Sequence, residues 1–105
     1  MATTDYTALI QKYFPQDQWQ NAYRVMMAES GGDPNAANDS NPTRERSFGL
    51  FQINTNVHDL TREQAMDPET NVRYAAQLYS AQGWQPWSAA QQMGQRNILP
   101  NSKRK

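Results

Sequence analysis

The sequence predicts an α+β fold that is mainly helical. Residues 5–14, 17–30 and 67–83 carry apolar side chains at the i, i+3, i+4 spacing of amphipathic helices. Residues 33–46 are polar and broken by prolines, which predicts a loop or an irregular hairpin. Residues 47–54 are a short, mostly apolar run that predicts a strand or a tight turn. These patterns describe helices around a small, irregular β lobe.

One domain is predicted for residues 1–105, because a chain of 105 residues can bury one modest core. We expect the core to span about residues 5–98 and a basic tail to occupy residues 99–105, where Lys103, Arg104 and Lys105 end the chain. The sequence shows no internal repeat and no linker. We also expect a monomer.

The first helix is predicted over residues 5–14, and Pro15 ends it. Its apolar stripe consists of Tyr6, Leu9, Ile10, Tyr13 and Phe14. The pattern indicates a packing role and no chemistry.

The second helix is predicted to begin at Asp17, as its N-cap, and to end near Ser30. Its apolar stripe consists of Trp19, Ala22, Tyr23 and Met26. Glu29 continues the stripe, so a carboxyl group stands where an apolar side chain is expected, and Gly31 and Gly32 then stop the helix. A carboxyl group partly withdrawn from water is costly to ionise, which suits a general acid near neutral pH. The alternative is a solvated Glu at a helix end.

The predicted strand ends in two amide side chains and is preceded by acidic ones. Gln52 and Asn54 offer both hydrogen-bond donors and acceptors, as sugar recognition requires. Asp39 and Glu45, in the preceding polar stretch, are the acidic residues that could face a site. The alternative is that both are surface charges on a loop.

The last helix has clear start and stop signals. Thr61 and Gln64 fit a capping box for a short preceding helix. Asp67 and Pro68 then predict the start of the long helix, which Gly83 ends. Its buried stripe is predicted to consist of Val72, Ala75, Ala76 and Tyr79, with Asn71 as a further packing residue.

Composition argues against several classes of partner. Ten basic and ten acidic residues cancel, so no overall charge favours nucleic acid. The chain has no cysteine and one histidine, His58, so we expect no disulfide, no metal and no cofactor, and we assign His58 a structural role. No segment approaches the roughly 20 apolar residues of a membrane span. The first residues also lack the pattern of a signal peptide.

Two linked motifs resemble a known family. Glu-Ser-Gly-Gly-Asp-Pro-Asn-Ala at 29–36 and Ser-Phe-Gly-Leu-Phe-Gln-Ile-Asn at 47–54 resemble the lysozyme-like superfamily, in particular the Slt-type lytic transglycosylases. The second motif is also similar to the Tyr-Gly-Ile-Leu-Gln-Ile-Asn strand of chicken-type lysozymes. The resemblance covers about residues 19–90. It implies a lysozyme-like fold that cuts the peptidoglycan glycan strand between N-acetylmuramic acid and N-acetylglucosamine.

The resemblance also implies a set of site residues. Glu29 would be the catalytic acid. The substrate-binding candidates are Ser30, Ser47, Gln52, Asn54, Tyr79 and Trp87. The chain departs from the Slt pattern at Asp33, where the family usually has Asn, and after residue 83, where it has Trp84-x-x-Trp87 in place of Ala-Tyr-Asn-Ala-Gly. We expect Trp84 to pack in the core and Trp87 to line the substrate groove.

The second step of the reaction is open at the level of sequence. Ser47 occupies the place of the second carboxylate of chicken-type lysozymes, which favours a lytic transglycosylase that uses Glu29 alone. The alternatives are a hydrolytic lysozyme that uses Asp39 or Glu45, and a non-catalytic glycan-binding module of a phage particle. Because no export signal is seen, we expect the protein in a phage virion, or in the host cytoplasm before lysis, acting on the bacterial cell wall.

Overall fold

Residues 6–40 and 45–87 are described by a computed structural model of the chain. In these ranges the chain forms four α-helices and three short strands. Their order is α1 (Thr7–Tyr13), α2 (Trp19–Ser30), β1 (Ala37–Asn38), β2 (Ser47–Phe48), β3 (Ile53–Asn54), α3 (Arg62–Met66) and α4 (Pro68–Gln82). The architecture confirms the predicted α+β class. The predicted tail at 99–105 and the last part of the predicted core lie outside the described residues.

The apolar stripes of α1, α2 and α4 meet in one core. Their buried members are Ile10 and Phe14 of the α1 region, Ala22, Val25 and Met26 of α2, and Val72 and Ala75 of α4. The ring of Phe14 stacks against Trp84, with 5.6 Å between the ring centroids, and it lies 5.6 Å from the ring of Phe51. The helices and the short sheet therefore share this core.

The beginning of the second helix differs from the prediction. Asp17 is not its N-cap, because Gln16–Gln18 form a separate 3-10 turn and α2 begins at Trp19. Gln18 is buried, and its Oε1 accepts hydrogen bonds from Trp84 Nε1 at 2.8 Å and from Asn21 Nδ2 at 3.1 Å. These buried hydrogen bonds of Gln18 favour a 3-10 turn at residues 16–18 over a helix cap at Asp17.

Tyr23 is also placed differently from the prediction, since 43% of its surface is exposed. It follows Ala22 by one residue, about 100° around the helix, and lies at the edge of the stripe. Ala22 and Met26 of the predicted stripe are buried in the core, together with Val25.

The three strands form a small antiparallel sheet in the order β1-β2-β3. Phe48 pairs with Ala37 on one side and with Ile53 on the other. A tight turn at residues 49–52 joins β2 and β3, so the predicted strand or turn is a hairpin that contains both. Gly49 has φ +85, and a Cβ there would lie 2.1 Å from the Ala65 carbonyl oxygen. The hairpin can approach α3 this closely because the residue is glycine.

The predicted caps of α3 and α4 are present. Thr61 and Gln64 form the capping box of α3, and Asp67 accepts a hydrogen bond from the Thr70 backbone N–H at the start of α4. The hydrogen bonds from Thr70, first from its backbone, lower the pKa of Asp67. The C-cap of α4 is Gly83.

A polar contact joins α1 to the first turn of α4. Lys12 Nζ lies 2.6 Å from Glu69 Oε2, and the Tyr13 hydroxyl donates to the same oxygen at 2.5 Å. These hydrogen bonds, first that of Lys12, hold the pKa of Glu69 below its ordinary value. In the described part of the chain, no helix is long and apolar enough to cross a membrane.

Candidate active site

A cleft of about 120 Å³ lies where the end of α2 meets the β2–β3 hairpin. Its walls also include residues from α4 and from the segment that follows it. It is lined by Glu29, Glu45, Ser47, Gln52, Ile53, Asn54, His58, Leu78, Pro86 and Trp87. Residues from both sequence motifs therefore meet in one cavity.

Glu29 enters the cleft from the last turn of α2 and is half-buried. Gly31 follows in the left-handed conformation, with φ 66, and its N–H donates to the Met27 carbonyl oxygen to end the helix. The amphipathic stripe and this glycine cap thus place a carboxyl group at the edge of the core, facing the hairpin.

Ser30 does not line the cleft, although it follows Glu29 directly. Its hydroxyl donates to the Met26 carbonyl oxygen at 3.2 Å and accepts from the Gly32 N–H at 3.1 Å. These bonds satisfy backbone groups at the helix end. Ser30 therefore supports the end of α2, and the substrate contact predicted for it stays a prediction.

Glu45 and Ser47 line the cleft together. The buried Ser47 hydroxyl donates to Glu45 Oε2 at 2.7 Å, which fixes the position of that carboxyl group. Ser47 thus holds a second acidic side chain in the same cavity as Glu29. The other candidate, Asp39, is exposed after β1 and does not line the cleft, because the chain there runs along the surface of the β lobe.

The amides of Gln52 and Asn54 are partly used by the fold. Gln52, at the positive φ of 51, donates from Nε2 to the carbonyl oxygens of Ala36 and Gly49 at 3.1 and 2.9 Å. Asn54 Oδ1 accepts from the backbone N–H groups of Arg46 and Asn56 at 3.2 and 2.9 Å. Within the described residues, Gln52 Oε1 and Asn54 Nδ2 keep no such partner. These two amides therefore offer the cleft one acceptor and one donor.

Trp87 lines the cleft but is only 4% exposed. Its Nε1 donates to the Phe51 carbonyl oxygen at 2.9 Å, and its ring packs edge-on against Phe51. Trp87 is therefore an apolar wall that steadies the hairpin, with little surface left for stacking on a sugar. Trp84 is buried, as predicted.

Tyr79 does not line the cleft. Its ring centroid lies 4.8 Å from that of Trp84 and 5.9 Å from that of Phe14. It belongs to the aromatic cluster on the core side of α4, because α4 turns this residue toward α1. The contact with substrate predicted for Tyr79 is not favoured by this position.

Four residues that line the cleft have no predicted role in recognition or catalysis: Ile53, His58, Leu78 and Pro86. The His58 ring packs edge-on against Tyr74, with 5.5 Å between centroids, and burial lowers the pKa of its imidazole. Its backbone N–H donates to the Asn54 carbonyl oxygen at 2.9 Å, so the turn after β3 returns it to the cleft. In the sequence, the signal for the position of His58 was that it follows Asn54 by four residues, the spacing of one turn.

Asn71 supports the cleft from below without lining it. It is fully buried in the first turns of α4, and its Oδ1 accepts from the Phe51 N–H at 2.8 Å. Its Nδ2 donates to the carbonyl oxygens of Phe48 and Ala65 at 3.0 and 2.8 Å. One amide thus connects the hairpin, α3 and α4. The sequence signal was a polar residue four positions before the buried Ala75.

In residues 6–40 and 45–87, no group of three or more His, Cys, Asp or Glu side chains is arranged to hold an ion.

Comparison with known families agrees with this arrangement. The family model described as "Lysozyme like domain" matches residues 6–89, which is most of the chain. The chain therefore belongs to this family of lysozyme-like domains. Membership supports cleavage of peptidoglycan as the general activity, by a glycosidase or transglycosylase kind of enzyme. No significant match was found among curated proteins or among solved structures.

Proposed function

We propose that the chain cleaves the β-1,4 bond between N-acetylmuramic acid and N-acetylglucosamine in peptidoglycan, with Glu29 as the catalytic acid. The observation that carries the proposal is the half-buried Glu29 carboxyl group in a cleft lined by the hairpin amides. Burial disfavours the charged form of a carboxyl group. A carboxyl group that retains its proton can donate it to the leaving glycosidic oxygen.

The bond breaks toward an oxocarbenium-like state at C1 of the muramoyl ring as Glu29 gives its proton to the leaving oxygen. Gln52 Oε1 and Asn54 Nδ2 can hold the sugar by accepting from and donating to its hydroxyl and acetamido groups. Trp87, which is buried, and Leu78, which is half-buried, form an apolar wall on one side of the cleft. Glu29 is left as a carboxylate, ready to act as a base.

For the second step of the reaction we favour transglycosylation over hydrolysis, because transglycosylation needs Glu29 alone. The ionised Glu29 takes the proton of the muramoyl C6 hydroxyl as this oxygen attacks C1. The product is a 1,6-anhydro sugar, and no water is consumed. The hydroxyl is tethered to the reacting ring, which gives it a large advantage in effective concentration over water. Ser47, which cannot act as an anion, occupies the place of the second carboxylate of chicken-type lysozymes.

Hydrolysis is the second candidate, and Glu45 is the observation that favours it. Its carboxyl group lines the same cleft as Glu29 and is held by the Ser47 hydroxyl at 2.7 Å. A hydrolase needs such a second carboxylate, either as nucleophile or as base for a water molecule. On this route Ser47 positions Glu45, and the product has a reducing end.

The masses of the products test both routes. Purified peptidoglycan is digested, and the muropeptides are weighed before and after borohydride treatment. Transglycosylation predicts anhydro ends, which are lighter by one water and resist reduction. It also predicts that Glu45→Gln keeps activity within about threefold. Reducing ends, together with a loss of roughly 100-fold or more in Glu45→Gln, would establish hydrolysis instead. No cleavage by the intact chain would contradict both routes and favour a binding module.

A further inference from the structure

A second groove lies between α1 and the first two turns of α2. It is lined by Thr7, Ile10, Gln11, Trp19, Gln20 and Tyr23, and its volume is about 450 Å³. It shares no lining residue with the cleft. Trp19 and Tyr23 precede Glu29 by ten and six residues, which separates them from it by roughly 9 to 15 Å along the helix axis. We call it the α1–α2 groove.

Two aromatic side chains line one side of the α1–α2 groove. Trp19 is half-buried, and its Nε1 donates to the Phe14 carbonyl oxygen at 2.9 Å, which fixes the indole. Tyr23 lies one turn further along α2, on the same face, and is 43% exposed. A fixed indole beside an exposed phenol offers flat apolar surface to a ligand, and the indole needs no further ordering.

The polar groups around these rings are neutral. Within the described residues, the amides of Gln11 and Gln20 and the hydroxyl of Tyr23 make no hydrogen bond to protein, so they are available to a ligand. No charged side chain from this part of the chain lines the groove. An anionic lipid, nucleic acid or acidic peptide would find no opposite charge here. A neutral ligand with apolar faces and many hydroxyl or amide groups fits the groove.

The size of the α1–α2 groove favours a small ligand over a protein partner. Its volume lies in the range of about 300 to 1,000 Å³ that is typical of small-ligand pockets. Stable protein interfaces use roughly 20 to 30 residues on each side, far more than the six that line this groove. The observations therefore favour a sugar over a second protein surface.

We propose that the α1–α2 groove is a second, non-catalytic binding site for a neutral N-acetylated glycan. Pyranose rings pack their apolar faces on Trp19 and Tyr23, and the amides of Gln11 and Gln20 bond to hydroxyl and acetamido groups. A polymer held at this site and in the cleft is bound more tightly than at either alone. The inference depends on the proposed function only in taking peptidoglycan as the natural polymer.

The test uses the full chain with Glu29→Gln, so that binding is measured without cleavage. A β-1,4-linked tetramer of N-acetylglucosamine is titrated while NMR follows the indole N–H of Trp19 and the backbone amides. We expect shifts in residues that line the α1–α2 groove, saturating separately from shifts at Gln52 and Asn54. Tyr23→Ala should abolish the groove shifts and leave those of the cleft. Tyr23→Phe, which keeps the ring, should preserve both.

Binding to insoluble peptidoglycan provides the second readout. Tyr23→Ala should weaken it about three- to tenfold, the equivalent of one lost aromatic contact. Met27→Ala is the matched control, because Met27 is 40% exposed on α2 and lies outside the groove. With Glu29 intact, Tyr23→Ala should cleave soluble glycan fragments at the normal rate. The two proposals can therefore fail separately. If the proposed cleavage is wrong, neither the wild type nor any variant will show turnover.

Several results would overturn the proposal. Cleft shifts without groove shifts at saturating tetramer would show that the groove binds no glycan. Equal retention of Tyr23→Ala and Met27→Ala on peptidoglycan would show the same. Nuclear Overhauser contacts between Tyr23 and residues 98–100 would identify the end of the chain as the occupant. Loss of the groove signals on self-association would identify a second copy.

Discussion

Replacing Asn71 by alanine tests the account of how the cleft is held together. The Asn71 amide accepts one backbone hydrogen bond from the hairpin and donates two, and it is fully buried. Alanine removes all three hydrogen bonds and leaves the lining of the cleft unchanged, since Asn71 does not line it. We expect a less stable protein whose remaining folded molecules have a loosened hairpin and lower activity.

The magnitude follows from the groups that lose their partner. A buried N–H without an acceptor, here that of Phe51, costs about 1–3 kcal/mol. The carbonyl oxygens of Phe48 and Ala65 each lose a hydrogen bond of about 1 kcal/mol. The sum is about 3–5 kcal/mol in the free energy of unfolding. For a domain of this size, it corresponds to a fall in melting temperature on the order of 10–40 °C.

Urea unfolding of the wild type, Asn71→Ala and Gln77→Ala measures this loss. Gln77 is exposed on the same helix, so Gln77→Ala should change the free energy of unfolding by no more than about 0.5 kcal/mol. A loss below about 1 kcal/mol in Asn71→Ala would refute the reasoning, because the three hydrogen bonds would then contribute nothing measurable.

Three further predictions concern the turn and two pH-dependent groups. Gly49→Ala should prevent stable folding, because its Cβ would lie 2.1 Å from a backbone oxygen, whereas Gly31→Ala should cost only about 1–2 kcal/mol of backbone strain, as thermal melting will show. Burial lowers the pKa of His58, so the unfolded chain takes up a proton at a higher pH than the folded protein, and stability should fall as the pH drops below about 6.5. His58→Gln should reduce this fall in stability, and a variant with the same pH profile as the wild type would contradict the prediction. The pKa of Glu69 is lowered mainly by Lys12, so their contact stabilises the folded protein above about pH 4.3, and this stabilisation is lost on further acidification. Lys12→Ala should therefore make the loss of stability in acid less steep.

Local rules predicted most of the helices. The caps at Thr61, Asp67 and Gly83 are present because each depends on a few neighbouring residues. The N-cap assigned to Asp17 is wrong because a distant contact, Trp84 with Gln18, favours a 3-10 turn there. Sequence periodicity cannot show such a contact.

The site was partly predictable for the same reason. Glu29, Gln52 and Asn54 could be identified from one stripe and one strand, and all three line the cleft. The positions of His58 and of the Glu45–Ser47 pair depend on how the hairpin folds back against the helices. The same packing directs Tyr79 into the aromatic core and leaves Asp39 on the surface, which no spacing along the sequence reveals.

The most direct test of the central claim is the rate at which Glu29→Gln cleaves purified peptidoglycan. Glutamine keeps the shape of the side chain but cannot serve as the acid. We expect a loss of roughly 100-fold or more at an unchanged melting temperature. Glu63→Gln, at an exposed position on α3, should retain the full rate. A Glu29→Gln protein that clears a peptidoglycan suspension at more than about a tenth of the wild-type rate would contradict the assignment of Glu29 as the catalytic acid.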